Sequence, residues 1–270
     1  MKIALIQMQV REHATQANTG HGLELLRAAA AHSDLAVLPE IWNTGYSLSH
    51  LEAEAVEEQS NLCSQLKQIA REQGCAIIAG SVPFRSHGRI YNASLAIDKF
   101  GRLVNIYGKA HLFGMFHEEN FFAPGEHFDC FTLDGISCGS TICYDLRFPE
   151  LYRRQALEGA KIIFVPAEWP VQRGKIWDLL LKARAVENHL FIVGVNCVGT
   201  FKQQHFYGHS QLIDPEGNIL VCGSDREEIL YGELDLAKLD QVRQVLNVLP
   251  DVRPELVKVP AGFLKKETGL

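Results

Sequence analysis

Short apolar runs along this chain alternate with longer stretches whose apolar residues recur every three or four positions. "KIALIQMQV" reads as a strand, "NTGHGLELLRAAAAHS" follows with helical spacing, and "LAVLPE" is a buried strand ending in Pro39-Glu40. "LEAEAVEEQSNLCSQLKQIAREQG" suits one amphipathic helix, and "CAIIAGSVP" is the next strand. The order β-α-β-α-β is that of helices packed on a sheet.

The pattern then changes. "RIYNASLAIDKFGRLVNIYGKAHLF" reads as two strands around an Asp-Lys-Phe-Gly turn, and "FDCFTLDGISCGSTICYD" as strands about an Asp-Gly turn, a strong hairpin signal. A helix over 150–159, the strand "KIIFVPAEW", the helix "IWDLLLKARAVENH" and the strand "LFIVGVNCVG" resume the alternation. Further hairpin character surrounds Pro215-Glu216-Gly217, and "AKLDQVRQVLNVL" is the last expected helix. No linker or internal repeat interrupts the chain. The reading is an α/β fold with two sheets flanked by helices, in one domain over 1–270 with a C-terminal tail from about 250.

Composition narrows the partners. The chain has 270 residues, 47% hydrophobic and 21% charged, enough to bury a large core. A net charge of −6 speaks against nucleic acid or an anionic membrane as partner. "MKIALIQMQVREH" lacks the apolar region and cleavage site of a signal peptide, and no run reaches the ~18 apolar residues of a membrane helix. Cys63, Cys75, Cys130, Cys138, Cys143, Cys197 and Cys222 are an odd number of cysteines without paired spacing. That pattern suits reduced thiols, and the expected location is cytoplasmic. No CxxC pair occurs, so a structural zinc cluster is not expected.

Three residues stand where chemistry is usually gathered. Glu40 ends one apolar strand, Lys109 follows "NIYG", and Cys143 ends another apolar strand and opens a turn toward a helix. A cysteine needs a base to become a thiolate, and a buried carboxylate such as Glu40 can serve. Lys109 and the backbone N–H of Tyr144 could hold an oxyanion. Each residue also suits a bland role: a strand-end carboxylate, a solvated lysine, an inert core thiol. Spacing and composition leave both readings open.

Longer segments decide between them. "AVLPEIWNTGY", "IYGKAHLF" and "STICYDLRFPELYR" resemble, in order and separation, the three signature segments of the nitrilase superfamily of carbon–nitrogen hydrolases. "FVPAEWP", "LLKARAVENHLFIVGVN" and "GHSQLIDPEGNIL" resemble later segments, so the likeness spans nearly the whole chain. It implies an αββα sandwich that pairs into a homodimer, with a contact face formed by helix 150–159 and the tail. It also implies a Glu-Lys-Cys triad of Glu40, Lys109 and Cys143, with Lys109 and the Tyr144 N–H as oxyanion donors. A second glutamate after the lysine segment falls on Glu118, with Glu119 as the neighbouring alternative. The implied reaction is thiol attack on an amide through a thioester, with no metal and no organic cofactor.

"CYDLRFPE" with "PAEWP" looks most like the ω-amidase-type branch, whose substrates are ω-amides of small 2-oxo acids such as 2-oxoglutaramate. Such a substrate carries a far carboxylate, for which Arg173 is the candidate, though a solvated loop role suits it equally. Tyr46, Phe116 and Trp169 are the expected walls. N-carbamoyl-amine hydrolysis and nitrile hydrolysis are the alternatives within the superfamily, and a catalytically idle binder of small acid amides is the alternative outside enzymes. A papain-like protease is excluded by the absence of its local signature around Cys143. His111 and His117 with Glu118 and Glu119 do not have the spacing of HExxH. Asp145, Arg147 and Glu150 are expected to fix the turn beside Cys143, with a substrate role for Arg147 as the secondary reading, and Arg184 with Glu187 to form a structural helix pair.

Overall fold

The computed structural model describes residues 1–253 and 255. In chain order its main elements are β1 (Lys2–Gln7), α1 (Thr15–Ala30), β2 (Leu35–Val37), α2 (Asn61–Gln73), β3 (Ala76–Ser86), β4 (Arg89–Ile97), β5 (Leu103–Gly108), β6 (Phe131–Leu133), β7 (Ile136–Ser140), α3 (Pro149–Leu157), β8 (Ile162–Ala167), α4 (Gly174–Asn188), β9 (Phe191–Asn196), β10 (Gln211–Ile213), β11 (Ile219–Cys222), β12 (Glu228–Glu233) and α5 (Leu236–Val245). Two six-stranded sheets result, ordered β12-β1-β2-β3-β4-β5 and β11-β10-β9-β8-β7-β6. Each has three parallel strands at its heart, β1-β2-β3 and β7-β8-β9, and antiparallel strands outside them.

The continuous apolar runs of the central strands have a simple cause: both faces of each sheet are covered. Ile3, Leu5, Val37 and Ile78 meet Phe164, Phe191 and Val193 between the sheets. The alternate residues of the first sheet, Ala4, Ile6 and Ile77, pack under Leu23, Leu26, Leu66 and Ile69 of α1 and α2. On the second sheet, Ile163, Val165 and Ile192 pack under Tyr152 of α3 and Trp177 and Leu181 of α4. The layers are therefore α-β-β-α, as the sequence implied. Phe164 is fully buried at the middle seam, where truncation to alanine costs about 3–5 kcal/mol.

The helix expected over 51–74 is divided. A single turn spans Leu51–Glu54, and α2 begins only at Asn61. Between them Val56 pairs with the strand residues: its N–H donates to Pro83 O and its carbonyl accepts from Arg85 N–H. Ser60 then caps α2 by accepting from the Cys63 N–H at 3.3 Å. Tertiary strand pairing overrides a helical period there. The last helix ends at Val245, and the expected tail lies, beyond 251–253 and Glu255, outside the described residues. Among the described residues no helix is long and apolar enough to cross a membrane.

One irregularity in β3 bears on the site. The register against β4 shifts between Ile78 and Ser81, where Gly80 takes a φ of +57°. A Cβ on Gly80 would lie 1.9 Å from Pro39 O, so only glycine lets β3 approach the segment that carries Glu40. The bulge turns the Ser81 hydroxyl inward, where it accepts from the Ile41 N–H at 2.9 Å.

Candidate active site

Four chemistry-bearing residues stand just past strand ends. Glu40 follows β2 and Lys109 follows β5, both in the first sheet; Cys143 follows β7 and Glu168 follows β8, both in the second. Glu40, Lys109, Glu118 and Glu168 are at most 1% exposed, and Cys143 is 7% exposed.

Lys109 Nζ donates to Glu40 Oε1 and to Glu118 Oε1, each at 2.8 Å. Glu118 Oε1 also accepts from the Tyr46 hydroxyl at 2.7 Å, and its Oε2 accepts from the Phe113 N–H at 2.8 Å. Glu40 is held from three further directions. Asn92 Nδ2 donates to its Oε1 at 2.8 Å, the Glu168 N–H donates to its Oε2 at 2.9 Å, and the Tyr46 hydroxyl stands 3.5 Å from Oε1. Asn92 in turn accepts from Ser81 Oγ at 2.6 Å. Glu118, not Glu119, is the glutamate beside the lysine; Glu119 is exposed, as is His117. His111 is engaged elsewhere, with Asp145 and stacked on Phe148, so the loose His/Glu cluster of the sequence is dispersed.

Cys143 opens the short helix Cys143–Arg147 with a φ of +45°, a strained conformation for a residue with a Cβ. Asp145 fixes that turn. Its Oδ2 accepts from the Ile142 N–H at 3.0 Å and the Tyr107 hydroxyl at 2.7 Å, while Oδ1 accepts from the His111 N–H at 2.9 Å. Tyr107 and His111 bracket Lys109, so one carboxylate ties the cysteine turn to the lysine strand. Arg184 supports the other side, donating to Leu146 O at 2.8 Å from Nη2 while pairing with Glu187 at 3.0 Å. The remaining expectations for this turn differ from what is found. Glu150 is exposed on the first turn of α3 and makes no side-chain bond among the described residues, and Arg147 lies over the Trp169 ring instead of bracing the backbone.

A cavity of about 20 Å³ brings Cys143 together with Tyr46, Glu168, Trp169 and Arg173. A hollow of about 480 Å³ shares Phe113, Tyr144, Arg147 and Arg173 with it and forms its mouth. Phe116 is not a wall of either. It packs edge-on against Tyr46 at 4.5 Å and faces a separate hollow of about 600 Å³. Phe113 takes the wall position that the sequence reading gave to Phe116.

The sequence over residues 2–244 matches the family described as carbon-nitrogen hydrolase. The chain belongs to the carbon–nitrogen hydrolase family. It is similar to the 2-oxoglutaramate amidase of Bacillus subtilis, with 37% identity over 94% of this chain and 98% of that one. Among solved structures it resembles a CN-hydrolase superfamily protein of Xanthomonas campestris with an arsenic adduct in its active site. The TM-score is 0.87 and the identity 30%, covering 94% of this chain and 97% of that one. It also resembles a mutant of the Nesterenkonia sp. AN1 amidase carrying acrylamide added at the active-site cysteine. There the TM-score is 0.81 and the identity 29%, over 95% of this chain and 98% of that one.

In this carbon–nitrogen hydrolase the buried charges set one another's protonation. Burial works against the Lys109 ammonium, but Glu118 and Glu40 outweigh it and hold Lys109 protonated, above its ordinary value. Burial, then the charge of Glu40, push the Cys143 thiol well up, with Lys109 pulling the other way. The resting sulfur is a neutral thiol. Burial, then Glu40, likewise raise Glu168 far above the usual carboxylate range. Burial also raises Glu118, against the pull of Lys109.

Glu168, Asn92 and Ser81 were not singled out from the sequence. Glu168 obeys the same strand-end rule that pointed to Glu40 and Cys143. Ser81 and Asn92 are polar residues inside apolar strands, fully buried, and that contrast was a readable signal.

Proposed function

We propose that the protein hydrolyses the terminal amide of a small 2-oxo acid, such as 2-oxoglutaramate, with Cys143 as nucleophile. The observation that carries this reading is the Lys109 ammonium clasped by two buried carboxylates beside a thiol in one cavity. Glu40 Oε1 is filled by Lys109 and Asn92, whereas Oε2 accepts only the Glu168 N–H and keeps a lone pair for the thiol proton. Glu40 takes that proton as the sulfur attacks the amide carbon. Lys109 spends two of its three N–H bonds on carboxylates, and the third, with the Tyr144 N–H, serves the developing oxyanion. The proton on Glu40 goes to the departing nitrogen, ammonia leaves, and a thioester remains on Cys143. Water, deprotonated by Glu40, attacks the thioester and releases the acid and the thiol.

Two features support the substrate class. Among the described residues Arg147 lies over the Trp169 ring and Arg173 over the Phe113 ring with Nη2 against Met115 Sδ, and neither pairs with a carboxylate, so both guanidinium charges at the mouth can hold an anionic substrate end. The Bacillus subtilis relative is named for 2-oxoglutaramate. Homodimer formation belongs to the same reading: Leu157, Leu179 and Val186 are exposed on α3 and α4, which include the helix expected to pair.

The test is ammonia release from 2-oxoglutaramate, 2-oxosuccinamate, succinamate, aliphatic amides, N-carbamoyl amino acids and nitriles, with Cys143→Ala as control. Preference for the oxo-acid amides, abolished in a folded Cys143→Ala protein, is the expected result. Activity retained by that variant would remove the thiol mechanism; activity confined to another group would replace the substrate.

A further inference from the structure

Glu168 has no task in the reaction just described, yet its setting is unusual. The residue is 1% exposed, and among the described residues neither of its carboxyl oxygens has a hydrogen-bond partner. Unpaired buried polar atoms are costly, and such groups mark places where a ligand supplies the partner. The side chain lines the cavity that holds Cys143, beside Tyr46 and Trp169, with Oε1 close to Gly45.

Its position relative to Glu40 gives the cavity a direction. Glu40 Oε1 receives Lys109, and Glu40 Oε2 receives the Glu168 N–H. The Glu40 carboxylate therefore stands between Lys109 Nζ and the main chain of Glu168, whose side chain lines the cavity. An amide lying across Glu40 with its oxygen toward Lys109 presents its nitrogen on the Glu168 flank.

We infer that Glu168 receives an N–H of the scissile primary amide, holding the nitrogen end of the group whose oxygen end is held by Lys109 and Tyr144. This rests on the reading of Cys143 as the nucleophile. Burial and then the charge of Glu40 push Glu168 toward the acid, and in either form a carboxyl oxygen is there to accept the amide N–H. In the acid form its O–H meets the nitrogen lone pair once thiol attack has released that pair from amide resonance in the tetrahedral intermediate. An ester has no N–H to offer. Glu168 thus makes the site selective for amides, by leaving a buried acceptor unpaired whenever the N–H is missing.

The experiment compares kcat/KM for a primary amide and for the methyl ester of the same acid, which yields the same thioester. Glu168→Met keeps the chain length without an acceptor, and Glu168→Gln restores a carbonyl. The amide-to-ester ratio is expected to fall about 10–100-fold in Glu168→Met, the effect of one buried hydrogen bond, and to recover in Glu168→Gln. Glu168→Ala gives the same readout if the methionine variant does not fold. A working enzyme whose amide and ester rates fall together, or whose ratio is unchanged, overturns this inference alone. A native protein that cleaves neither compound removes the thiol-amidase reading and this inference with it.

Discussion

Replacing Asp145 by asparagine keeps the side chain's volume and turns one acceptor into a donor. In the native protein one carboxylate oxygen accepts from the Ile142 N–H and the Tyr107 hydroxyl, and the other from the His111 N–H, with His111 Nδ1 2.8 Å away. Whichever way the new amide turns, its NH2 group faces a main-chain N–H. A buried donor left facing a donor costs ~1–3 kcal/mol, and losing charge assistance on the other bonds adds ~1 kcal/mol. The sum, about 2–4 kcal/mol, is a large share of the ~5–15 kcal/mol that holds a typical domain folded. Urea unfolding followed by the fluorescence of the three tryptophans reads it, with the m-value unchanged. Activity should fall further than stability. Tyr107 and His111 bracket Lys109, and a displacement of ~1 Å between catalytic groups can cost ~100-fold in rate. An Asp145→Asn protein within about 0.5 kcal/mol of native, with kcat/KM within about threefold, would refute the idea that this carboxylate registers the lysine against the cysteine.

Gly80→Ala forces a Cβ to within 1.9 Å of Pro39 O at a φ of +57°, and should cost at least ~3 kcal/mol, lowering Tm by roughly 6–12 °C along with activity. A carboxyl whose folded pKa is raised keeps a proton that the unfolded chain releases, so its stabilising effect is full below the ordinary carboxylate value and is lost as pH rises toward the folded value. Glu168 is such a group, so the Tm advantage of Glu168→Gln over native should be smallest near pH 4 and widen toward pH 7; a gap independent of pH contradicts a buried neutral acid. Arg173→Met should raise KM for carboxylate-bearing amides by about 10–100-fold and leave neutral aliphatic amides nearly unchanged, and equal losses on both would assign the arginine a structural role.

Much of the fold was legible because each sheet is covered on both faces, which writes its central strands as unbroken apolar runs and its helices as one-sided periods. Glu40, Lys109 and Cys143 were legible because they sit in long, ordered motifs at strand ends. Features set by distant pairing were harder to read. Val56 gives up a helical period to pair with β3, a contact that no local window contains. The loop between Lys109 and Glu118 puts Phe113 in the cavity wall and Phe116 behind Tyr46, a choice between two nearby phenylalanines that their spacing does not make. Arg147 reads first as a turn brace from its neighbours in sequence and only second as a substrate contact, and the folded loop puts it at the mouth over Trp169.

The division of the site between sheets has a consequence for how the protein matures. Glu40, Lys109 and Glu118 come with the first half of the chain, and Cys143 and Glu168 with the second. A nascent chain that has emerged only through Glu118 carries the first group without Cys143 or Glu168, and the first sheet itself is completed only when β12, Glu228–Glu233, joins β1. On the mechanism proposed above, a collapsed state with both sheets formed but undocked holds the Cys143 sulfur apart from the Glu40 carboxylate and the Lys109 ammonium. On that reading catalysis begins only when the middle seam closes, and turnover during refolding is a clock for that step.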